Sequence, residues 1–339
     1  MTAVSRYTQD MIDAYVEAGY WSPHSTSYFW DRNSVTRPDR PALADGHVAF
    51  TWASGVAAVD AIAAGLIDAG VPRDGVLLVQ GANSAILVLF RLACEKAGII
   101  PAFLYVGSRR SEIEAVSRKL NPVGAVIAAD GKTDLLSVYR SLGLARNLQF
   151  LFTLEPNAFG IPSITDLSER HVVVDFGARC IRPYEMTGIV SSSGTTGPPK
   201  CIEYSCWPRL ASSRVYIERL RITENDVILT CIPFYTGGGD MQFHISPQIG
   251  VKFVVLSKFT PEETCRLIER EAVTGAAMVP TMIARINGLP NLAEYDLSSL
   301  RWVVSGGGML PYDVGARFVD AAGAALFQVL AQRARYGVG

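Results

Sequence analysis

The sequence predicts an α/β protein with strands of parallel type flanked by helices, and three observations predict it. Short apolar runs such as Val76-Leu-Leu-Val79 read as strands buried on both faces. These runs alternate with segments of helical periodicity, the pattern of parallel strands joined by right-handed crossovers. Three glycine-bearing loops, Ser193–Lys200, Pro233–Gly239 and Ser305–Gly308, each follow a strand-like run.

In chain order, Phe29 to Arg37 reads as a short helix ending before Pro38. Ala42-Leu-Ala and Val48-Ala-Phe50 around Asp45-Gly46 read as a hairpin, because Asp-Gly favours a tight turn. Val56, Val59, Ile62 and Leu66 recur at helical spacing, and Gly70 stops that helix. After the strand at Val76–Val79, Asn83-Ser84 is expected to cap a helix running to about Ala97. Strands at Ile99–Phe103, Ala125–Ala129 and Gln149–Thr153 then alternate with helices at Ser111–Lys119 and near Leu135–Leu142. Beyond the first glycine loop, Pro208–Leu220 reads as helix, and Val227–Cys231 and Phe253–Leu256 as strands. Thr260-Pro-Glu-Glu263 has Thr at the cap, Pro at the first position and Glu at the third, a helix start. Ala276–Val279, Pro280–Ile286 and Trp302–Val304 add strand, helix and strand, and a last helix begins near Pro311. The domain boundary is placed at the Pro-bearing turn Ile181-Arg-Pro183, giving regions 1–183 and 184–339.

A chain of 339 residues suggests about two folding units, and 49% hydrophobic residues supply a large core. Thirty-one Lys and Arg against 32 Asp and Glu leave a net charge of −1, so no global field recruits nucleic acid or an anionic membrane. The most apolar stretch, Ala85 to Leu104, is interrupted by Arg91, Glu95 and Lys96, which suits a buried helix and strand rather than a membrane span. Met1 to Gly19 lacks the continuous apolar core of a secretory signal. Cysteines 94, 180, 201, 206, 231 and 265 are scattered without a Cys-x2-Cys pair, and histidines 24, 47, 171 and 244 show no ligand spacing. A cytoplasmic protein without a structural metal is expected.

Ser191-Ser-Ser-Gly-Thr-Thr-Gly-Pro-Pro-Lys200 places five hydroxyls, two glycines and a lysine between two β-favouring runs. Backbone N–H groups and hydroxyls in such a loop make a concave donor surface for phosphate, and Lys200 adds charge. No Gly-x4-Gly-Lys-Ser/Thr string occurs, so this is not a Walker loop; composition alone is equally compatible with a polar hairpin loop. In order, Ser193 to Gly197, Pro199 and Lys200 resemble the phosphate loop of adenylate-forming enzymes, which include acyl-CoA synthetases, luciferases, nonribosomal-peptide adenylation domains and aryl-acid AMP ligases. Pro233–Gly239, Met278-Val-Pro-Thr281 and Ser305-Gly-Gly-Gly308-Met-Leu310 fall where that family has its acid-pocket turn, a helix start and its adenine turn. Glu17-Ala-Gly-Tyr-Trp21 resembles the openings of aryl-acid AMP ligases.

The resemblance implies the large N-terminal region of the adenylate-forming fold, two parallel-type sheets flanked by helices, without the small C-terminal domain. It implies MgATP-dependent activation of a carboxylic acid, aryl or related, to acyl-AMP for transfer to a CoA or carrier-protein thiol, chemistry of secondary metabolism. Thr196 and Lys200 are the expected catalytic residues. Ser193, Gly194, Thr195, Thr196, Gly197, Lys200, Gly306, Gly307 and Gly308 are expected to bind nucleotide, and Tyr235, Thr236, Gly237 and Gly238 the acid. Aryl-acid enzymes commonly carry His-Asn where Thr236-Gly237 stands, so a bulkier or differently substituted acid than salicylate or catechol acids is expected. Asp240 reads as a solvated loop carboxylate rather than a partner for a substrate amine, and His244 as a core histidine. Cys201 reads as a small buried residue rather than a nucleophile.

The resemblance fails near the end. Leu330, Ala331, Arg333 and Ala334 stand where relatives have an aromatic, Gly, Thr and a magnesium-associated Glu, and no hinge or C-terminal lysine follows. Three readings follow: a split enzyme completed by a separate C-terminal part, a non-adenylating binding or partner protein, or an altered reading frame.

Overall fold

The computed structural model describes residues 7–128, 135–141, 148–169, 173–191 and 199–329. The chain divides into two units, the first holding Met1–Ser34, Ala53–Ala82 and Ile86–Pro208, the second Val35–Trp52, Asn83–Ala85 and Arg209–Gly339. The expected boundary near 183 therefore moves. The strands on either side of the Ser193–Lys200 loop pair with each other and with the first unit's sheet, which carries that unit on to Pro208. The 41–51 hairpin joins the second unit instead.

Thirteen strands are labelled in chain order: β1 Pro41–Ala44, β2 Ala49–Thr51, β3 Val76–Gln80, β4 Ile100–Phe103, β5 Gly124–Ile127, β6 Phe150–Thr153, β7 Gly188–Ser191 and β8 Cys201–Tyr204. The remainder are β9 Val227–Thr230, β10 Lys252–Val255, β11 Gly275–Met278, β12 Trp302–Ser305 and β13 Ala325–Gln328. In the first unit six strands run in the order β6-β5-β3-β4-β7-β8, all parallel except the β7–β8 pair. Helices Arg110–Leu120 and Leu135–Ser141 cover one face, burying Ile113, Val116, Leu120, Leu136 and Tyr139 against Leu78, Ala102 and Ile127.

The run from Ala85 to Leu104 becomes helix Ala85–Ala97 and β4, as its interrupting charges predict. Those charges are buried with partners. Lys96 meets Asp31 and Asp60, Glu95 accepts from the Ser27 N–H at 2.8 Å and hydroxyl at 2.7 Å, and the Arg91 guanidinium lies 5.9 Å from the Phe103 ring. Among the described residues no helix is long and apolar enough to cross a membrane.

In the second unit the order is β13-β12-β11-β9-β10-β1-β2, parallel apart from the β1–β2 hairpin. Helices Pro261–Glu271, Pro280–Asn287 and Tyr312–Ala322 bury Leu267, Ile268, Ile283, Ile286 and Phe318 with Leu229, Val254, Ala276 and Val303 on one face. Thr260 caps the first of these helices, its hydroxyl accepting from Glu263 N–H at 3.2 Å with Pro261 in the first turn, as the sequence predicts. Helix Gly237–Ile249 packs over β9, β10 and β11 and contributes nothing to that cluster, so the sheet is covered on both faces.

Candidate functional site

Strand order in the second unit marks a point where the sheet's winding changes direction. From β9 the chain moves outward to β10, then returns to β11 on the other side and proceeds to β12 and β13. The order reverses between β9 and β11, and ligands of open parallel sheets bind outside the carboxyl ends of strands at such a reversal. The second and third glycine loops leave the sheet there.

After β9, Pro233 to Thr236 forms a tight turn, with Thr236 N–H donating to Pro233 O at 3.0 Å and the Thr236 hydroxyl to the same oxygen at 3.2 Å. Thr236 then precedes the helix beginning at Gly237, and its carbonyl accepts from Gly239 N–H at 3.0 Å. The three glycines here differ in what they permit. A Cβ on Gly239 would lie 2.5 Å from Pro233 O, so that glycine is required by the turn. Gly237 has φ +48° with open space where its Cβ would be, and a Cβ on Gly238 would make ordinary 3.6 Å contacts with Ala277 and Ile232. Tyr235 is buried beside Phe234, their rings 5.6 Å apart.

On the far side of β11 lies the third loop. Gly306 N–H donates to Met278 O at 3.4 Å, Gly307 has φ +82° with its Cβ position 3.6 Å from Val279, and Gly308 stands 3.8 Å from Pro280 in the same sense. Val329 N–H donates to Ser305 O at 2.8 Å and Gln328 Nε2 to Gly308 O at 3.3 Å, tying the end of β13 to this turn. The end of β11 is thus flanked by Gly238, against Ala277, and by Gly306–Gly308, against Met278 to Pro280. The fully buried Ser305 hydroxyl has no hydrogen-bond partner among the described residues.

In the first unit the segment from Ser192 to Lys200 lies between the antiparallel pair β7 and β8, with Ser191 opposite Cys201 in register. The two strands the sequence predicts on its flanks are present. Ser193, Gly194, Thr195, Thr196 and Gly197 lie outside the described residues, as do Leu330, Ala331, Arg333 and Ala334. Lys200 is exposed at the start of β8. Burial pushes the half-buried Cys201 thiol above its ordinary value, which disfavours a thiolate and agrees with the reading of a non-nucleophile.

Two expectations change. Asp240 is fully buried rather than solvated, because the helix begins at Gly237 and turns this side chain inward. Its carboxylate lies 3.2 Å from Arg209 Nε and 3.7 Å from His244 Nε2, one turn along the same helix. The N-terminal turn is where the helix dipole favours an anion. His244 is buried, as expected. Of the expected Asn83-Ser84 cap, Asn83 takes another role: its carboxamide reaches Phe234 N–H and the ends of β9 and β10, while the Ala85 N–H is taken by Asp45 Oδ2 at 2.9 Å. Nothing in a single sequence marks the role of Asn83, whose partners lie about 150 residues or more along the chain, whereas the i,i+4 spacing of Asp240 and His244 is a signal that the sequence carries. Among the described residues no group of three or more His, Cys, Asp or Glu gathers that could hold a metal.

The medium-chain fatty-acid–CoA ligase of Escherichia coli (strain K12) is 25% identical over 324 residues, covering 93% of this chain and 56% of its own. The salicylyl-CoA synthase / salicylate adenylyltransferase of a Streptomyces species is 26% identical over 341 residues, covering 95% of this chain and 60% of its own. The apo structure of MbtA from Mycobacterium smegmatis matches with a TM-score of 0.84 at 22% identity, over 96% of this chain and 60% of that one. The chain therefore spans 56–60% of the length of these relatives. The fold is that of the large N-terminal part of adenylate-forming enzymes, with two sheets each flanked by helices. Residues 30–332 match the AMP-binding enzyme family over most of the chain, and the chain belongs to that family.

Proposed function

We propose that this chain takes part in ATP-dependent activation of a carboxylic acid as an acyl-AMP, for transfer to a CoA or carrier-protein thiol. A carboxylate oxygen attacks the α-phosphorus, the new C–O–P linkage forms, and the bond to the β-phosphate breaks as pyrophosphate leaves. Ser193, Gly194, Thr195, Thr196, Gly197 and Lys200 are assigned to the nucleotide's phosphates, with Thr196 and Lys200 holding charge that develops on the leaving group. Gly306, Gly307 and Gly308 are assigned to adenine, and Tyr235, Thr236, Gly237 and Gly238 to the acid. Magnesium would accompany ATP as in other nucleotide-dependent ligases.

The observation that carries the reading is the reversal of strand order between β9 and β11, with two glycine loops leaving the sheet at the carboxyl ends of the strands there. The open space at Gly237 and the loose contacts at Gly238 fit an aryl or related acid with a bulky or extended substituent. The salicylate-acting relative supports an aryl acid, and cytoplasmic CoA or a carrier domain is the matching acceptor.

Acid-dependent ATP–pyrophosphate exchange tests this over a panel of aryl and fatty acids, with the chain alone and with a relative's C-terminal fragment added. Exchange above background with at least one acid is expected. Silence throughout, from folded protein that still binds ATP or an acid, favours the non-adenylating reading.

A further inference from the structure

We propose that Asn83 is a positioning residue for the acid site: its carboxamide fixes the Pro233–Thr236 turn and, through it, the Gly237–Gly238 wall. The identification of that wall with an acid site rests on the adenylation reading; the control of the turn by Asn83 does not.

Asn83 is 6% exposed and makes three hydrogen bonds, all within the second unit. Its Nδ2 donates to Ile232 O at 2.9 Å and Leu256 O at 3.1 Å, and its Oδ1 accepts from Phe234 N–H at 3.1 Å. Ile232 and Leu256 lie just beyond the carboxyl ends of the neighbouring strands β9 and β10. There the ladder ends, and buried backbone groups need other partners. A side-chain amide offers two donors and an acceptor in one plane, so one residue reaches all three groups, with Ile232 O also accepting from the Thr230 hydroxyl at 2.9 Å.

What those bonds hold is the start of helix Gly237–Ile249. Phe234 is fully buried, with its ring 5.8 Å from that of Phe243 on the helix. Two residues further, Thr236 bonds back to Pro233 and receives Gly239 N–H. Releasing Phe234 N–H therefore frees the turn at the point where Gly237 and Gly238 are placed. The role is not helix capping, because the Asn83 carboxamide oxygen accepts from Phe234 N–H in the turn after β9.

The test uses the full chain, with Asn83→Ala and Asn83→Asp. The aspartate keeps the acceptor for Phe234 but turns acceptor oxygens toward two carbonyls. Calorimetry measures affinity for ATP and for the best acid of the exchange panel, and hydrogen exchange follows peptides covering 231–239. We expect both variants to fold, to bind the acid roughly 10–100-fold more weakly, since displacements near 1 Å cost about that much, and to keep ATP affinity within about twofold. Exchange should quicken at 231–239 and stay unchanged in helix Pro261–Glu271. Unchanged acid affinity, equal loss of acid and ATP binding, unaltered exchange at 231–239, or failure of both variants to fold would each overturn the proposal. If the wild type binds no acid, the adenylation reading fails by itself, and exchange alone then decides whether Asn83 sets the turn.

Discussion

Gly275 and Trp302 face each other across β11 and β12, and the indole fills the space that a side chain at 275 would need. A Cβ built on Gly275 would lie 2.0 Å from Trp302 Cζ2. The contact is with a buried ring at the amino-terminal ends of β11 and β12, on the sheet face opposite Val303, so little can yield. Gly275→Ala should destabilise the protein by about 2–3 kcal/mol, the upper part of the range for overpacked cores. Urea unfolding followed by tryptophan fluorescence measures it, with a lowered midpoint at unchanged slope expected.

The glycines of the acid-site turn separate structure from binding. Gly239→Ala meets Pro233 O at 2.5 Å and should cost at least about 1–2 kcal/mol. Gly238→Ala makes only 3.6 Å contacts and should shift stability by less than about 1 kcal/mol. If Gly238 lines the acid site, its added methyl lowers affinity for the bulkiest acids bound and spares the smaller ones. Paired melting curves and acid titrations on the two variants check both parts.

Much of the fold was legible in the sequence because its signals are local. The apolar run Val76–Val79, the Thr260-Pro-Glu-Glu263 cap and the Asp45-Gly46 hairpin each act within a few residues, and each appears where its pattern predicts. Strand order is not local. The hairpin at 41–51 pairs with β10, some two hundred residues away, through a parallel β1–β10 ladder that no short-range pattern encodes. The Pro183 turn is a local signal of the same kind, closed by Glu185 N–H on Arg182 O at 2.9 Å, while the pairing of the two strands after it with the first unit's sheet is not local. At the site, glycine positions were readable as turns, whereas the inward Asp240 and the bridging Asn83 depend on packing that only the tertiary fold supplies.

Acid stability should carry a signature from Glu271. Burial pushes its carboxyl up, but the hydrogen bond and charge of Lys252, helped by Arg270, outweigh this and hold it below the ordinary value of 4.5. The unfolded chain takes up this proton near 4.5 and the folded chain only at lower pH, so the stabilisation is complete above about 4.5 and is lost as pH falls through the folded value. Glu95, raised by burial, acts in the opposite sense, and a difference measurement cancels it. Wild type should exceed Glu271→Gln by about 1 kcal/mol or less at neutral pH, with the gap closing as pH falls below 4.5. Denaturant midpoints of both proteins between pH 3 and 7 measure this.

The central claim is that the loop ending at Lys200 holds the phosphates of a nucleotide, and calorimetric titration of the chain with ATP, wild type against Lys200→Ala, tests it most directly. Saturable binding by the wild type is expected, weakened roughly tenfold or more in the variant, as suits the loss of one charge-assisted hydrogen bond. Well-folded wild-type protein that takes up no ATP, or a variant that binds it equally well, would contradict the account.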